Sequence, residues 1–371
     1  MRDNRFDPEA VLAESEEHSG VSPYSAVEFQ RVMGKRVYQS LRIIRHLQHT
    51  SGEILSFRKE KIGYVYCRSP FVSALVHEAL ACFDPTSSGW LDSSLDLVPS
   101  GRRKLFVSEV AEIRCRIRDF LSWQKESQGW WRFFGRGSGI DPDVNSTIYA
   151  ILALRDAPGN HHYQYWDEQL DTVNRFRSAD NLYYTFYRPG RGGYGWMDEK
   201  GRPVVGFDRV VNADVLWFLN ICAPENHRPF KPLSDYLLRE CDQPGVEDGT
   251  FLYPNPVSFY YSLSRAWRGD FFNDQDGIRK VILPKLLAMQ GKTGEFGGPI
   301  STAMAANTLV NLRYLGPEMD RARFAIVKGL QPGGGWRYED FIVNGFGSPA
   351  LTTALSLSYL AHFYRVAEGF A

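Results

Sequence analysis

Between Gly135 and Leu154 the chain reads GRGSGIDPDVNSTIYAILAL, with Asp141, Asp143 and Asn145 on alternate positions ahead of an apolar run. Two carboxyl groups sharing the rim of an apolar cavity repel each other and lose solvation, so at least one stays protonated near neutral pH. A neutral carboxylic acid beside apolar space can protonate an alkene or an epoxide. The other reading of the same residues is a helix cap, since Asp, Asn or Ser at a helix start accepts from the first backbone N–H groups. One polar residue suffices for a cap, whereas Asp141, Asp143, Asn145 and Ser146 crowd into six positions with Pro142 fixing the turn. A second group, FDRVVNADVLWFL, contains Asp208 as a cap, Asn212, and Asp214 one turn inside an apolar helix. Asp214 needs a partner such as Arg209 or a place on the cavity, because an unpaired buried carboxylate costs several kcal/mol. Glu339 and Asp340 read as surface charges.

Aromatic residues make up 14% of the chain and gather in WWRFF, YYTFY, GYGW, VSFYY, GGGWRYEDF and NGFG. A carbocation over a ring face gains roughly 0.5 to 2 kcal/mol, and aromatic walls exclude water that would quench it. The candidate wall is Trp130, Trp131, Tyr149, Trp196, Trp217, Tyr260, Trp336 and Phe346; filling of gaps between helices is the alternative use of the same rings. The adjacent His161 and His162 are poorly placed to share one metal, His46 and His49 fall on an outer helix face, and no phosphate-loop motif occurs. Neither a metal nor a nucleotide cofactor is expected.

Composition narrows the partners. Basic and acidic residues number 43 each, and the only compact basic run is Arg102-Arg103-Lys104, so nucleic acid is not an expected partner. The five cysteines are widely spaced, and all but Cys67 fall in or beside apolar helical patterns, the usage of reduced, buried thiols and of a cytoplasmic protein. The first 20 residues carry no apolar core, and no segment approaches 18 uncharged apolar residues, which disfavours secretion and membrane spanning. Residues 1–25 read as a mobile leader and 26–371 as one domain, since no Pro/Ser/Gly linker divides the rest.

The elements that must carry these groups recur. RIIRHLQHTSGEI leads to SPFVSALVHEALACF, RIRDFLSWQKESQGWW to DVNSTIYAILAL, VILPKLLAMQGKTGEFGG to ISTAMAANTLVNLRYL, and FAIVKGLQPGGGW to SPALTTALSLSYLAHFY, with two looser pairs between. In each pair an amphipathic helix bearing charges such as Arg45, Arg118 and Lys285 precedes a nearly uncharged one. The first belongs to an outer layer and the second to an inner layer, and neighbours must stack to bury the inner helix. Six such hairpins predict an all-α, single (α/α)6 toroid. An open solenoid has the same local pattern but keeps a nearly constant period, which these pairs do not.

Gln48/Gly52, Gln290/Gly294/Phe296 and, more loosely, Gln124/Gly129/Trp130 and Gln331/Gly335/Trp336 resemble the QW repeat of the squalene-hopene and oxidosqualene cyclases. That superfamily also includes class II diterpene cyclases and the β-subunits of protein prenyltransferases. DVNSTIYAILAL resembles the acidic Asp-x-Asp-Asp-Thr helix start of the cyclases. In this register Asn145 stands where the family keeps its proton-donating Asp, and a shift by two puts Asp141 and Asp143 in the acid positions instead. The chain is about half the length of the two-toroid squalene cyclases. The resemblance implies a class II terpene cyclase-like enzyme that cyclises or isomerises an isoprenoid by proton initiation, without metal or cofactor. Asp143 would be the acid, Asp141 and Asn145 would orient it, and Asp214 or Asp208 would serve as second acid or terminating base. Two other readings stay open: a glycan-active toroid using two carboxylates, and a toroid that binds an apolar ligand without turnover. Peripheral membrane contact to collect a lipid and the oligomeric state are left open.

Overall fold

The computed structural model describes residues 26–87, 92–157, 163–187, 206–222, 230–243, 245–267 and 275–368. Among these, twelve α-helices alternate between two layers. The outer helices are α1 (Ala26–His46), α3 (Arg103–Gln124), α5 (Tyr163–Asn174), α7 (Lys231–Asp242), α9 (Gln275–Ala288) and α11 (Pro317–Lys328); the inner ones are α2 (Pro70–Ala79), α4 (Val144–Arg155), α6 (Arg209–Cys222), α8 (Val257–Ala266), α10 (Pro299–Asn311) and α12 (Pro349–Glu368). Burial follows the charge pattern. In α11 the buried residues are Met319, Ala322 and Ile326, a single stripe, whereas α10 is buried from Ile300 through Val310. Each inner helix packs on the next, and α12 returns to α2, so the ring closes rather than running on as a solenoid. No helix among the described residues is long and apolar enough to cross a membrane.

The hairpins are joined by one repeated device. In the loops after the outer helices, Ile54, Trp131, Tyr183, Phe296 and Trp336 each donate a backbone N–H to a side chain one turn inside the following inner helix: Ser73 Oγ (3.0 Å), Thr147 Oγ1 (3.2 Å), Asn212 Oδ1 (2.9 Å), Thr302 Oγ1 (3.0 Å) and Thr353 Oγ1 (3.2 Å). Trp131 and Trp336 also donate Nε1 to Leu121 O (2.8 Å) and Ile326 O (2.7 Å) on their own outer helices. A buried indole N–H requires such an acceptor. These two tryptophans therefore occupy hairpin interiors, as Ile54 does in the first unit, and stand apart from any cavity wall.

Two glutamines each tie one hairpin to the next. Gln48 Nε2 donates to Gly52 O (3.1 Å) and Ile113 O (3.0 Å), and Gln290 Nε2 to Gly294 O (3.2 Å) and Glu318 O (2.8 Å). Gly52 and Gly294 have φ of +94° and +93°, and a Cβ on either would lie 1.9 or 2.1 Å from Arg116 O or Arg321 O. Only glycine allows that approach. Gln124 and Gln331 fall outside this register. The loop bond made by His49 N to Glu53 O recurs as Glu126 N to Trp130 O and Gln331 N to Gly335 O, so Gln331 stands one place after the position of Gln48 and Gln124 one place before.

Two features depart from the sequence reading. A small four-stranded sheet, absent from the all-α expectation, has the order β2-β1-β4-β3, with β1 Phe57–Glu60, β2 Gly63–Tyr66, β3 Asp340–Ile342 and β4 Phe346–Gly347. The antiparallel pairs Phe57↔Gly347 and Arg58↔Phe346 join the first loop to the last. Cys115 is exposed rather than buried, because the helical period turns it away from the buried Ile113 and Ile117; all five cysteines are free thiols.

Candidate active site

The inner helices begin at one mouth of the ring, where their first N–H groups need acceptors. Ser69 Oγ accepts from Val72 N (3.3 Å), Asn255 Oδ1 from Val257 N (2.9 Å), and Asp208 Oδ1 from Val210 N (2.8 Å) and Val211 N (3.2 Å). Helix α10 begins at Gly298-Pro299 with no capping side chain of its own. Glu339 supplies the cap: Oε2 accepts from Ile300 N (2.6 Å) and Ser301 N (3.3 Å), and Oε1 from Ser301 Oγ (2.6 Å). Glu339 is therefore no free surface charge, while Asp340 is exposed.

Asp143 caps α4 with Oδ1, which accepts from Ser146 N at 2.7 Å, but its Oδ2 is buried without a hydrogen-bond partner. The carboxyl lines a small cavity together with Phe71, Phe133, Asn145, Thr185, Phe186, Val211, Leu252, Tyr253 and Ile342. Burial pushes its pKa up to about 7, against the pull of the Ser146 N–H on Oδ1. The free space is about 20 Å³, room for one water-sized group. This is much smaller than the open chamber that the aromatic content implies, because the rings of Phe71, Phe133 and Phe346 pack on one another in the mouth.

Asn145 lines the same cavity. Its Nδ2 donates to Tyr253 Oη (2.8 Å) and to Asp214 Oδ2 (3.3 Å), and its Oδ1 is buried without a partner. Asp214 Oδ1 accepts from Tyr149 Oη (3.1 Å), and Tyr149 Oη accepts from Arg265 Nη1 (2.6 Å). Burial raises the Asp214 pKa to about 6, while the charge of Arg265 and hydrogen bonds from Ser262 and Tyr149 hold it down. The arginine answering Asp214 is thus Arg265. Arg209 instead donates to Val246 O (3.1 Å) and Gly249 O.

Asp141 is half-buried and lies outside the cavity lining. Asp208 is held as a cap, its pKa raised by burial. Of the expected wall, Tyr149 and Phe346 touch the lining rings, at 5.4 Å from Phe71 and 5.7 Å from Phe133 between centroids. Trp130 packs on Tyr187 under Arg175, Tyr260 is fully buried beside Phe259, and Trp217 lies beneath Arg265. Trp196 lies outside the described residues. Of the rings that do line the cavity, Phe133 and Phe186 fall in the aromatic clusters WWRFF and YYTFY but outside the expected wall, and Phe71 and Tyr253 went unnoticed in the sequence, as did Arg265. Arg265 carried a signal: it is a lone charge in the otherwise uncharged run VSFYYSLSRAW.

No protein-family model and no curated protein matches the chain. Among solved structures, the type II terpene cyclase MstE from Scytonema superposes with a TM-score of 0.64 at 13% identity, covering 91% of this chain and 99% of that one. The two chains share the α/α toroid fold. MstE is also solved with its substrate geranylgeranyl dihydroxybenzoate and with its product merosterolic acid A. The terpene-cyclase toroid recurs in ent-copalyl diphosphate synthase from Streptomyces platensis, with a TM-score of 0.51, 16% identity and coverage of 79% of this chain and 50% of that one. The ring is shared beyond terpene chemistry. Cellobiose 2-epimerase from Spirochaeta thermophila has a TM-score of 0.57 at 12% identity, covering 92% and 98% of the two chains.

Proposed function

We propose that this chain is a class II terpene cyclase-like enzyme in which Asp143 starts cyclisation or isomerisation of an isoprenoid by donating a proton. One observation carries the reading: a buried carboxyl with a pKa of about 7 whose second oxygen has no partner and which borders apolar and aromatic side chains. The O–H bond of Asp143 breaks, a C–H bond forms at a terminal alkene carbon, and a tertiary cation remains opposite the new carboxylate. Each ring closure forms a C–C bond from an alkene π pair and moves the charge along the chain, until a C–H bond beside the cation gives its electrons to a new alkene and its proton to solvent water, so substrate and product are isomers. Asp143 then recovers its proton from solvent. Phe71, Phe133, Phe186 and Tyr253 offer ring faces to the cation. Asn145 presents its unpaired Oδ1 to the site, held there by Asp214 and Tyr253. Asp214, tied through Tyr149 to Arg265, acts as a fixed counter-charge and positions the amide. Asp141 and Asp208 are assigned no step.

The free space does not hold an isoprenoid with the rings as they stand, so entry displaces Phe133, Phe186 and Leu252. These stand on connecting segments rather than helices, and their displacement leaves the ring closed. The apolar surroundings of Asp143 favour this reading over a sugar-active site. The test is incubation with prenyl alcohols, diphosphates and prenylated aromatic acids, with and without EDTA, followed by mass spectrometry. A cyclised or isomerised product, insensitive to EDTA and lost in Asp143→Asn, supports the proposal. Recovery of every substrate unchanged, or full turnover by Asp143→Asn, rejects it; an unchanged lipid held by the protein would instead favour a binding role.

A further inference from the structure

The opposite mouth of the ring, where the inner helices end, opens into a basin of about 410 Å³. Helix C-termini concentrate negative dipole there, so a basin at this place excludes anions unless side chains reverse the sign. Among the described residues that line it are Arg155, Arg265 and His362, with Glu78 as the carboxylate. Arg265 is only 7% exposed, and its guanidinium lies 3.4 Å from the Trp217 ring centroid, which fixes its plane. Nη1 is used on Tyr149, whereas Nη2 is buried without a hydrogen-bond partner; the nearest carboxylate oxygen, Glu78 Oε1, stands 3.6 Å away. Glu78 therefore pairs with the guanidinium by charge without filling Nη2, and the donor stays open to a short, charge-assisted bond to an anionic oxygen.

We infer that this basin binds the carboxylate or phosphate group of a small ligand, taken up by Arg265 Nη2 with Arg155 as the second cationic contact and Glu78 as a competitor. This site is separate from the Asp143 cavity and stands whether or not Asp143 turns over an isoprenoid. Titration calorimetry of the full chain with inorganic phosphate, and separately with acetate at matched ionic strength, tests it. Saturable binding is expected, weakened roughly tenfold in Arg155→Gln, where one charge-assisted contact is lost, and tightened in Glu78→Gln. The tighter of the two anions identifies the ligand class. Both variants lie at the wall of an open basin, and circular dichroism checks that they fold as the parent does. Absence of saturable binding by either anion, or binding that neither variant alters, overturns the inference.

Discussion

At the mouth where the inner helices begin, one carboxyl group stands among phenyl rings beside a space the size of a water molecule; where the same helices end, arginines line a broad polar basin. Helix dipoles alone favour anions at the first mouth and cations at the second. The second mouth follows that rule. At the first, Asp208 and Glu339 satisfy helix N–H groups, and Asp143 does so with one oxygen, yet burial outweighs the dipole and leaves Asp143 half-protonated at neutral pH. Proximity to a helix start therefore does not set a carboxyl's charge; the solvation of its second oxygen does.

The comparison breaks most sharply at Asp143. Asp143→Asn keeps a side chain that caps well, so the thermal midpoint is expected to shift by only a few degrees, while product formation drops by about 10² to 10⁴-fold. Turnover that survives with the fold intact would end the distinction between Asp143 and the purely capping acids. A related effect is expected in the pH dependence. The donor must be protonated, so kcat/KM falls as pH rises through about 7. Because folding raises this pKa above the ordinary carboxylate value, the stability associated with the protonated form is complete at acid pH and is lost between about pH 4 and about pH 7, on the order of 4 kcal/mol. Denaturant titrations at pH 5 and 8 should show this slope in the parent and not in Asp143→Asn.

Smaller effects sharpen the contrast. Tyr149→Phe removes the hydroxyl between Arg265 and Asp214 and leaves both short of a partner, which should cost about 1 to 3 kcal/mol in urea unfolding. An unchanged midpoint would mean that the two mouths are not linked through this side chain. Glu339→Gln weakens a charged cap on α10 and should cost about 1 kcal/mol with little change in turnover. A large loss of activity there would make Glu339 part of the chemistry and erase its difference from Asp143.

The ring itself was legible in the chain because hairpins repeat their charge pattern and inner helices are apolar on every side. The candidate site drew attention in the sequence only where polarity interrupts that pattern, at Asp143, Asn145 and Asp214. Tryptophan misled: Trp131 and Trp336 hold the loop position that Ile54 and Phe296 hold in other repeats, and aligning the repeats on that position would have marked it as structural. The lining rings come from segments as far apart as Phe71 and Tyr253, and only closure of the ring brings them together. Glu339 caps a helix that begins some 40 residues earlier in the chain, a pairing that no local pattern encodes.

Closure also orders how the chain can mature. Arg36 Nη1 donates to Pro332 O (2.8 Å) and Ser348 Oγ to Leu55 O (2.7 Å), pairs separated by 296 and 293 positions. As the chain leaves the ribosome, its first hairpin waits for the last with an apolar flank and the edge of β1 unsatisfied. Such an unfinished arc offers a sticky border to other nascent copies, and this exposure ends only when the final hairpin docks.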